Sequence, residues 1–254
     1  MPQAGADRPL AAQGPAHGAA AGHDPAPRAG ASPQAAPGAA RTLVFDLDGT
    51  LVDSVPDLAD AARRMLARRA LPAVSDAEVT AMVGDGVAVL VRRLFAHAGR
   101  VPDDAAQGEF LADYTAHAAD RTLPYPGVAE GLARLRGSGW RLAVCTNKPV
   151  EPARHLLAGL GLLGHFATVT GGDSFAVRKP DPDHVRQTLA LAGGVAARAV
   201  MVGDNAHDIA AGRGAGLRTI HAGWGYGTPA MAEGADAVAA GFDEVAGLAE
   251  GLVR

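Results

Sequence analysis

Two hydrophobic rhythms alternate along the chain from residue 42 onward. Short apolar runs at 43–45, 141–145, 168–170, 199–202 and 217–221 read as buried β-strands, because a strand covered on both faces shows no polar side. Between them, apolar residues recur every three or four positions. Val150, Ala153, Leu156, Leu157 and Leu160 make one such helical stripe. Asp181-Pro182 supplies an N-cap and first helical residue ahead of Val185 and Leu189. This alternation predicts an α/β fold with a mostly parallel sheet covered by helices on both faces. One interval breaks the rhythm. Residues 56–123 carry helical stripes and no convincing strand: Leu58, Ala62, Met65 and Leu66 share one face, and Val87, Leu90, Val91, Leu94 and Phe95 share another. The pattern predicts an α-helical cap at 56–123, inserted into a core formed by 41–55 and 124–254.

Residues 1–40 are a different material. They are mostly Ala, Gly and Pro, with Leu10 the only branched aliphatic. Such a stretch buries too little apolar area to offset the entropy of ordering, so it is expected to be disordered. It also lacks the apolar segment of a secretory signal. Over the whole chain, 48% hydrophobic residues in 254 positions suffice for one substantial core. A net charge of −4 gives no sign of nucleic-acid or membrane affinity, and no apolar run approaches the roughly 20 residues of a membrane span. Cys145, the single cysteine, ends an apolar strand and reads as a small buried hydrophobe. Intrachain disulfides are thereby excluded, and a cytoplasmic location is expected. Monomer and homodimer are both compatible with this composition.

The polar residues that end the strands carry the chemistry. Strand 43–45 runs into Asp46-Leu47-Asp48-Gly49-Thr50, strand 141–145 into Thr146-Asn147-Lys148, and strand 199–202 into Gly203-Asp204-Asn205-Ala206-His207-Asp208. Lys179-Pro180 follows strand 168–170 after a loop. In an open parallel sheet, ligands bind beyond the carboxyl ends of the strands, so these four groups should meet at one edge. Several acids together suit Mg²⁺, a hard cation that takes oxygen ligands. Asp46 is then a candidate nucleophile toward phosphorus. An anion attacking an anion needs help, because unit charges 4 Å apart repel by about 4 kcal/mol at an effective dielectric near 20. Mg²⁺ and Lys179 would supply that help, Thr146 would donate a hydrogen bond, and Asp48 would serve as general acid and base. Asp208 has two readings, as a metal ligand beside Asp204 on one helix face, or as the partner of Lys179.

Taken together and in this order, these four segments resemble the motifs of the haloacid-dehalogenase-like phosphatases over about residues 42 to 250. The resemblance implies a Rossmann-like core and an aspartyl-phosphate intermediate on Asp46. It also implies magnesium held by the Asp46 carboxylate, the Asp48 backbone carbonyl, Asp204 and Asp208. Finer segments are similar to the phosphoglycolate phosphatases of that family: Tyr125-Pro126-Gly127-Val128, Thr146-Asn147-Lys148-Pro149, Arg178-Lys179-Pro180-Asp181-Pro182 and Trp224-Gly225-Tyr226-Gly227. The implied substrate is a small phosphate ester, 2-phosphoglycolate first. N-acetylmuramate 6-phosphate, other sugar phosphates and a phosphomutase reaction stand as alternatives, and a non-enzymatic phosphate-binding role stands behind them. Gly49 and Asn147 are expected to contact substrate. Arg93, seven residues after Gly86 and so on the same helix face, is expected to reach a substrate carboxylate. Trp224 and Tyr226 read as packing and loop residues, and His207 as a solvated one.

Overall fold

The computed structural model describes residues 40–253, so the stretch expected to be disordered lies, but for Ala40, outside the described residues. In chain order the strands are β1 (Thr42–Phe45), β2 (Val52–Asp53), β3 (Leu123–Pro124), β4 (Arg141–Cys145), β5 (Thr168–Thr170), β6 (Ala199–Gly203), β7 (Arg218–Ala222) and β8 (Ala237–Ala239). The helices are α1 (Val55–Arg68), α2 (Asp76–Thr80), α3 (Val87–His97), α4 (Ala106–His117), α5 (Val128–Gly137), α6 (Val150–Gly159), α7 (Pro182–Leu191), α8 (Ala206–Gly214) and α9 (Val245–Leu252).

The side-chain alternation of β1 sets the layers. Leu43 and Phe45 point to one side, packing with Leu132 of α5, Leu156 of α6 and Val245 of α9. Val44 points to the other, against Val185 and Leu189 of α7 and Ala211 of α8. The main sheet has six strands in the order β5-β4-β1-β6-β7-β8, with every neighbouring pair parallel. Leu43 stands opposite both Leu142 and Val200, which aligns the carboxyl ends of β1, β4 and β6. The sixth strand was absent from the sequence reading. Its Ala-Val-Ala stretch is too short and too poor in β-branched residues to announce itself.

Helices α1 to α4 lie between β2 and β3, which pair antiparallel with Val52 opposite Pro124. The chain therefore leaves and rejoins the rest of the protein through one narrow ribbon. Asp57, in the first turn of α1, fastens the crossing by accepting from the amides of Arg121 and Thr122 and from the Thr122 hydroxyl, at 2.7–3.1 Å. The stripes expected in this interval are buried: Leu58, Ala62, Met65 and Leu66 from α1, and Leu90, Val91, Leu94 and Phe95 from α3. They join the same hydrophobic cluster as Leu43 and Phe45. Asp181 does cap α7, accepting from the Asp183 amide with Pro182 in the first turn. Among the described residues, no helix is long and apolar enough to cross a membrane.

Candidate active site

At the carboxyl end of β1 the chain turns sharply, and the turn is built around Asp46, Asp48 and Gly49. The Asp46 amide still donates to Val202 of β6, at 2.9 Å, so its side chain leaves from the last rung of the sheet. Gly49 follows with a φ of 84°, and a Cβ there would stand 2.4 Å from the Asp204 carboxylate. Only glycine allows both the left-handed turn and that approach. Its own amide is taken by the carbonyl of Val52. Gly49 therefore serves the site through shape, and no amide is left there for the substrate contact expected from the sequence.

Asp46, Asp204 and Asp208 each present a carboxylate oxygen within 4.8 Å of the others. Asp204 was expected on the helix face of Asp208, but it precedes the helix. Asn205 is the N-cap of α8, and Asp208 closes its capping box by accepting from the Asn205 amide at 3.0 Å. Asp204 is oriented instead by the Thr50 hydroxyl at 3.1 Å and by the amides of Tyr226 and Gly227 at 2.9 and 3.1 Å. The second reading of Asp208 is realised in the geometry: its Oδ1 lies 2.6 Å from the Lys179 ammonium, which also sits 2.8 Å from Asp46 Oδ1.

Burial and mutual repulsion load this cluster. Burial pushes the Asp46 carboxyl up to about 6, with Lys179 pulling it down and Asp208 pushing it up. Burial, followed by the charges of Asp208 and Asp46, pushes Asp204 up to about 7. Burial alone would lower Lys179, but Asp208 and Asp46 outweigh it and raise its affinity for the proton. Lys179 approaches Asp46 Oδ1 to 2.8 Å, and beyond that ion pair the buried oxygen meets no donor among the described residues. Three crowded carboxylates with an open oxygen, and no sulfur or imidazole among them, fit a hard divalent cation.

Thr146 and Asn147 leave the end of β4. The Thr146 oxygen accepts from the Lys148 amide at 3.2 Å, which leaves its proton to donate elsewhere. Asn147 gives both amide hydrogens to backbone, the carbonyls of Lys179 at 3.0 Å and Gly84 at 3.1 Å, and keeps Oδ1 buried without a partner. Asn147 thus ties the α2–α3 loop to the sheet. Arg93 reaches the same loop and goes no further: its guanidinium meets the Met82 carbonyl at 2.8 Å and the Asp85 carboxylate at 2.5 Å. It is absent from the walls of the adjoining cavity. Asp85 also faces His207, at 3.3 Å.

Two functional side chains escaped the sequence reading. Lys148 is buried, with its ammonium 3.0 Å from both oxygens of Asp48 and 4.3 Å from the centre of the Tyr114 ring. Asp48 also accepts from the Ser54 hydroxyl at 2.6 Å. Tyr226 accepts at its hydroxyl from the amides of Ser54 and Val55 and donates to Asp53, all within 3.1 Å. One residue thereby joins the Asp204 loop to the entry of α1. Lys148 and Tyr226 each stand in a segment that carries the family resemblance, but nothing local marks either one's partner.

The chain belongs to the haloacid dehalogenase-like hydrolases, whose family model matches residues 40–216. It is 42% identical over 218 residues to the phosphoglycolate phosphatase of Mesorhizobium japonicum, an alignment spanning 84% of this chain and 96% of that one. The phosphoglycolate phosphatase of Rhodospirillum rubrum is 43% identical over 221 residues, 84% of this chain and 90% of that one. Among solved structures, that of a predicted phosphoglycolate phosphatase from Haemophilus somnus 129PT superposes with a TM-score of 0.75 at 29% identity, covering 82% of this chain and 97% of that one.

Proposed function

We propose that this chain is a Mg²⁺-dependent phosphatase that hydrolyses 2-phosphoglycolate, with Asp46 as nucleophile and helices α1 to α4 as a cap over the site. The lining of the cavity between sheet edge and cap carries the reading. Its sheet side presents Asp46, Asp48, Thr146, Asn147 and Lys148, while its cap side is Leu58, Val83, Val87, Leu90, Phe110 and Leu111, with Tyr114 the one polar side chain. A sugar phosphate would bring several hydroxyls to that apolar wall and leave them without partners, at about 1–3 kcal/mol each. A two-carbon ester has none to lose. The cavity is about 50 Å³, room for a few waters, so the cap must swing away for the ester to enter.

When bound, Mg²⁺ would neutralise the carboxylates of Asp46, Asp204 and Asp208 and draw charge from the phosphoryl oxygens. The chain's own residues do the rest. Asp46 attacks phosphorus, and the bond to the ester oxygen breaks as an acyl phosphate forms on its carboxylate. Lys179 and the Thr146 hydroxyl compensate the oxygens that gain charge. Asp48 gives a proton to the leaving glycolate oxygen, then takes one from the water that hydrolyses the acyl phosphate.

The test is phosphate release with Mg²⁺ from 2-phosphoglycolate, N-acetylmuramate 6-phosphate, several sugar phosphates and pyrophosphate. Asp46→Asn should lower turnover by more than about 10⁴-fold on the preferred ester. Its melting temperature should be unchanged, since a carboxyl already pushed toward neutrality is replaced by a neutral amide. A variant retaining a tenth of the activity would end the nucleophile assignment. A preference for a sugar phosphate would end the substrate assignment alone.

A further inference from the structure

Lys148 is the one cationic side chain on the cavity wall among the described residues. Lys179 is paired with Asp46 and Asp208 at the phosphoryl end of the site, and Arg93 is committed to the cap loop. Lys179 and the cation would both serve the phosphate, which leaves the attached carboxylate to be met by another group. Lys148 has what a carboxylate needs. Its ammonium already holds one bidentate carboxylate, Asp48, with both contacts at 3.0 Å. Its ammonium lies over the Tyr114 ring of α4, 4.3 Å from the ring centre, in a buried setting that strengthens the charge. Beside it the Tyr114 hydroxyl, buried in the same wall, has the Lys148 ammonium as neighbour and finds no acceptor for its own proton among the described residues. A buried phenol proton without an acceptor is costly to fold, and an incoming carboxylate would relieve it.

Resting on the reading of this chain as a phosphoglycolate phosphatase, we infer that Lys148 and the Tyr114 hydroxyl form the subsite for the substrate's carboxylate, and that Asp48 occupies the ammonium until substrate displaces it. The arrangement links selection to chemistry. While Asp48 is gripped by Lys148 and Ser54, it is held away from the leaving oxygen. A substrate carboxylate that takes over the ammonium frees Asp48 to turn toward that oxygen. An ester lacking the carboxylate leaves the grip in place. Tyr114 comes from the cap and Lys148 from the sheet, so the subsite is complete only with the cap closed.

The test compares 2-phosphoglycolate with 2-hydroxyethyl phosphate, which replaces the carboxylate by a hydroxymethyl group. Phosphate release with Mg²⁺ is measured for the wild type, Lys148→Met, Tyr114→Phe and Arg93→Gln. The wild type should favour the carboxylate ester by about 100-fold or more in kcat/KM. Lys148→Met should collapse that ratio to within about 5-fold, by raising KM for the carboxylate ester and by releasing Asp48 for the ester without one. Tyr114→Phe, which keeps the ring, should reduce the ratio about 5-fold, and Arg93→Gln should leave it intact. A Lys148→Met ratio equal to the wild type's overturns the subsite. So does an equal loss on both esters, since that is what a residue that merely positions Asp48 would give. If Lys148→Met does not fold, an unaltered ratio in Tyr114→Phe overturns the proposal in its place. A wild type without preference for the carboxylate ester fails before any variant is made, and that failure belongs to the substrate reading underneath.

Discussion

The two sides of the cavity are built to opposite rules. On the sheet side each functional group is held by several partners. Lys179 is shared by two carboxylates, Asp204 is fixed by one hydroxyl and two amides, and Asp208 is at once ion-pair partner and helix cap. On the cap side, the wall is apolar and the polar contacts between cap loop and sheet are few: Asn147 to Gly84, and Asp85 to His207. The floor's shared cation cannot be removed without cost, because losing Lys179 strands two carboxylates in a buried site. The wall can exchange one aliphatic residue for another at little cost. The two rules meet at Lys148, which grips Asp48 on the sheet side and faces the Tyr114 ring of the cap side.

The sharpest way to break this contrast is at Lys179. Lys179→Met leaves Asp46 and Asp208 facing each other without a cation. Loss of one member of a buried pair costs about 3–5 kcal/mol, so the melting temperature should fall by roughly 10 °C. Turnover should drop about 10³-fold with it. Asp46→Asn should lose at least as much activity and none of the stability. If the two variants melt alike, the floor is not the interlocked unit described.

The crowding of the acids also has a pH signature. Folding raises Asp46 to about 6 and Asp204 to about 7, above the ordinary carboxylate value of 3.8. Between about pH 4 and 7 the native state therefore holds protons that the unfolded chain has released. Stability contributed by these groups is present in full below about pH 4 and declines as pH rises through the native values. In chelator, the wild type should melt at a lower temperature at pH 7.5 than at pH 5, relative to Asp204→Asn measured alongside it. Added Mg²⁺ should raise the wild-type midpoint more at pH 7.5 than at pH 5, since the cation relieves a repulsion that exists only when the acids are ionised. Parallel curves for wild type and Asp204→Asn would remove the repulsion from the account.

A smaller effect is expected where the two regions join. Tyr226→Phe deletes the hydroxyl that Ser54, Val55 and Asp53 share, leaving two amides at the start of α1 unpaired. The cost should be about 1–2 kcal/mol, or a fall of roughly 3–6 °C in melting temperature. The effect should also appear as faster hydrogen exchange at residues 54–58, while exchange in β1 and β6 stays slow. Uniform protection would place Tyr226 outside the joint.

The contrast also accounts for what the sequence made visible. The acids, Thr146 and Lys179 stand in short runs at strand ends, and a parallel sheet delivers all strand ends to one edge whatever their separation along the chain. Their convergence follows from topology alone. Lys148 is different. A lysine is rarely buried, and its partners Asp48 and Tyr114 come from β1's loop and from α4, so only the tertiary approach of those elements reveals the role. The same holds for Tyr226, which sits more than 170 residues from the amides it holds. β8 and the β2–β3 ribbon leave a fainter trace: two or three residues carry no measurable period, and Ala-Val-Ala lacks the β-branched threonines that mark Thr168–Thr170.

Arg93 shows how far spacing reaches. Seven residues from Gly86 does place it beside the glycine turn, as the helical period requires, and it binds that turn through Met82 and Asp85. Spacing fixed the face of the helix and left open which acceptor the guanidinium would meet. With one contact to the Met82 carbonyl, one to Asp85 and a side chain 41% exposed, Arg93 supports the cap's edge from the solvent side. Exposed ion pairs contribute about 0–1 kcal/mol, so Arg93→Gln should lower kcat/KM on 2-phosphoglycolate by no more than about 3-fold. What change there is should lie equally on esters with and without a carboxylate. A 100-fold loss confined to the carboxylate ester would move the anion subsite from the sheet-borne Lys148 to the cap-borne arginine, and selectivity would then reside wholly in the region that moves.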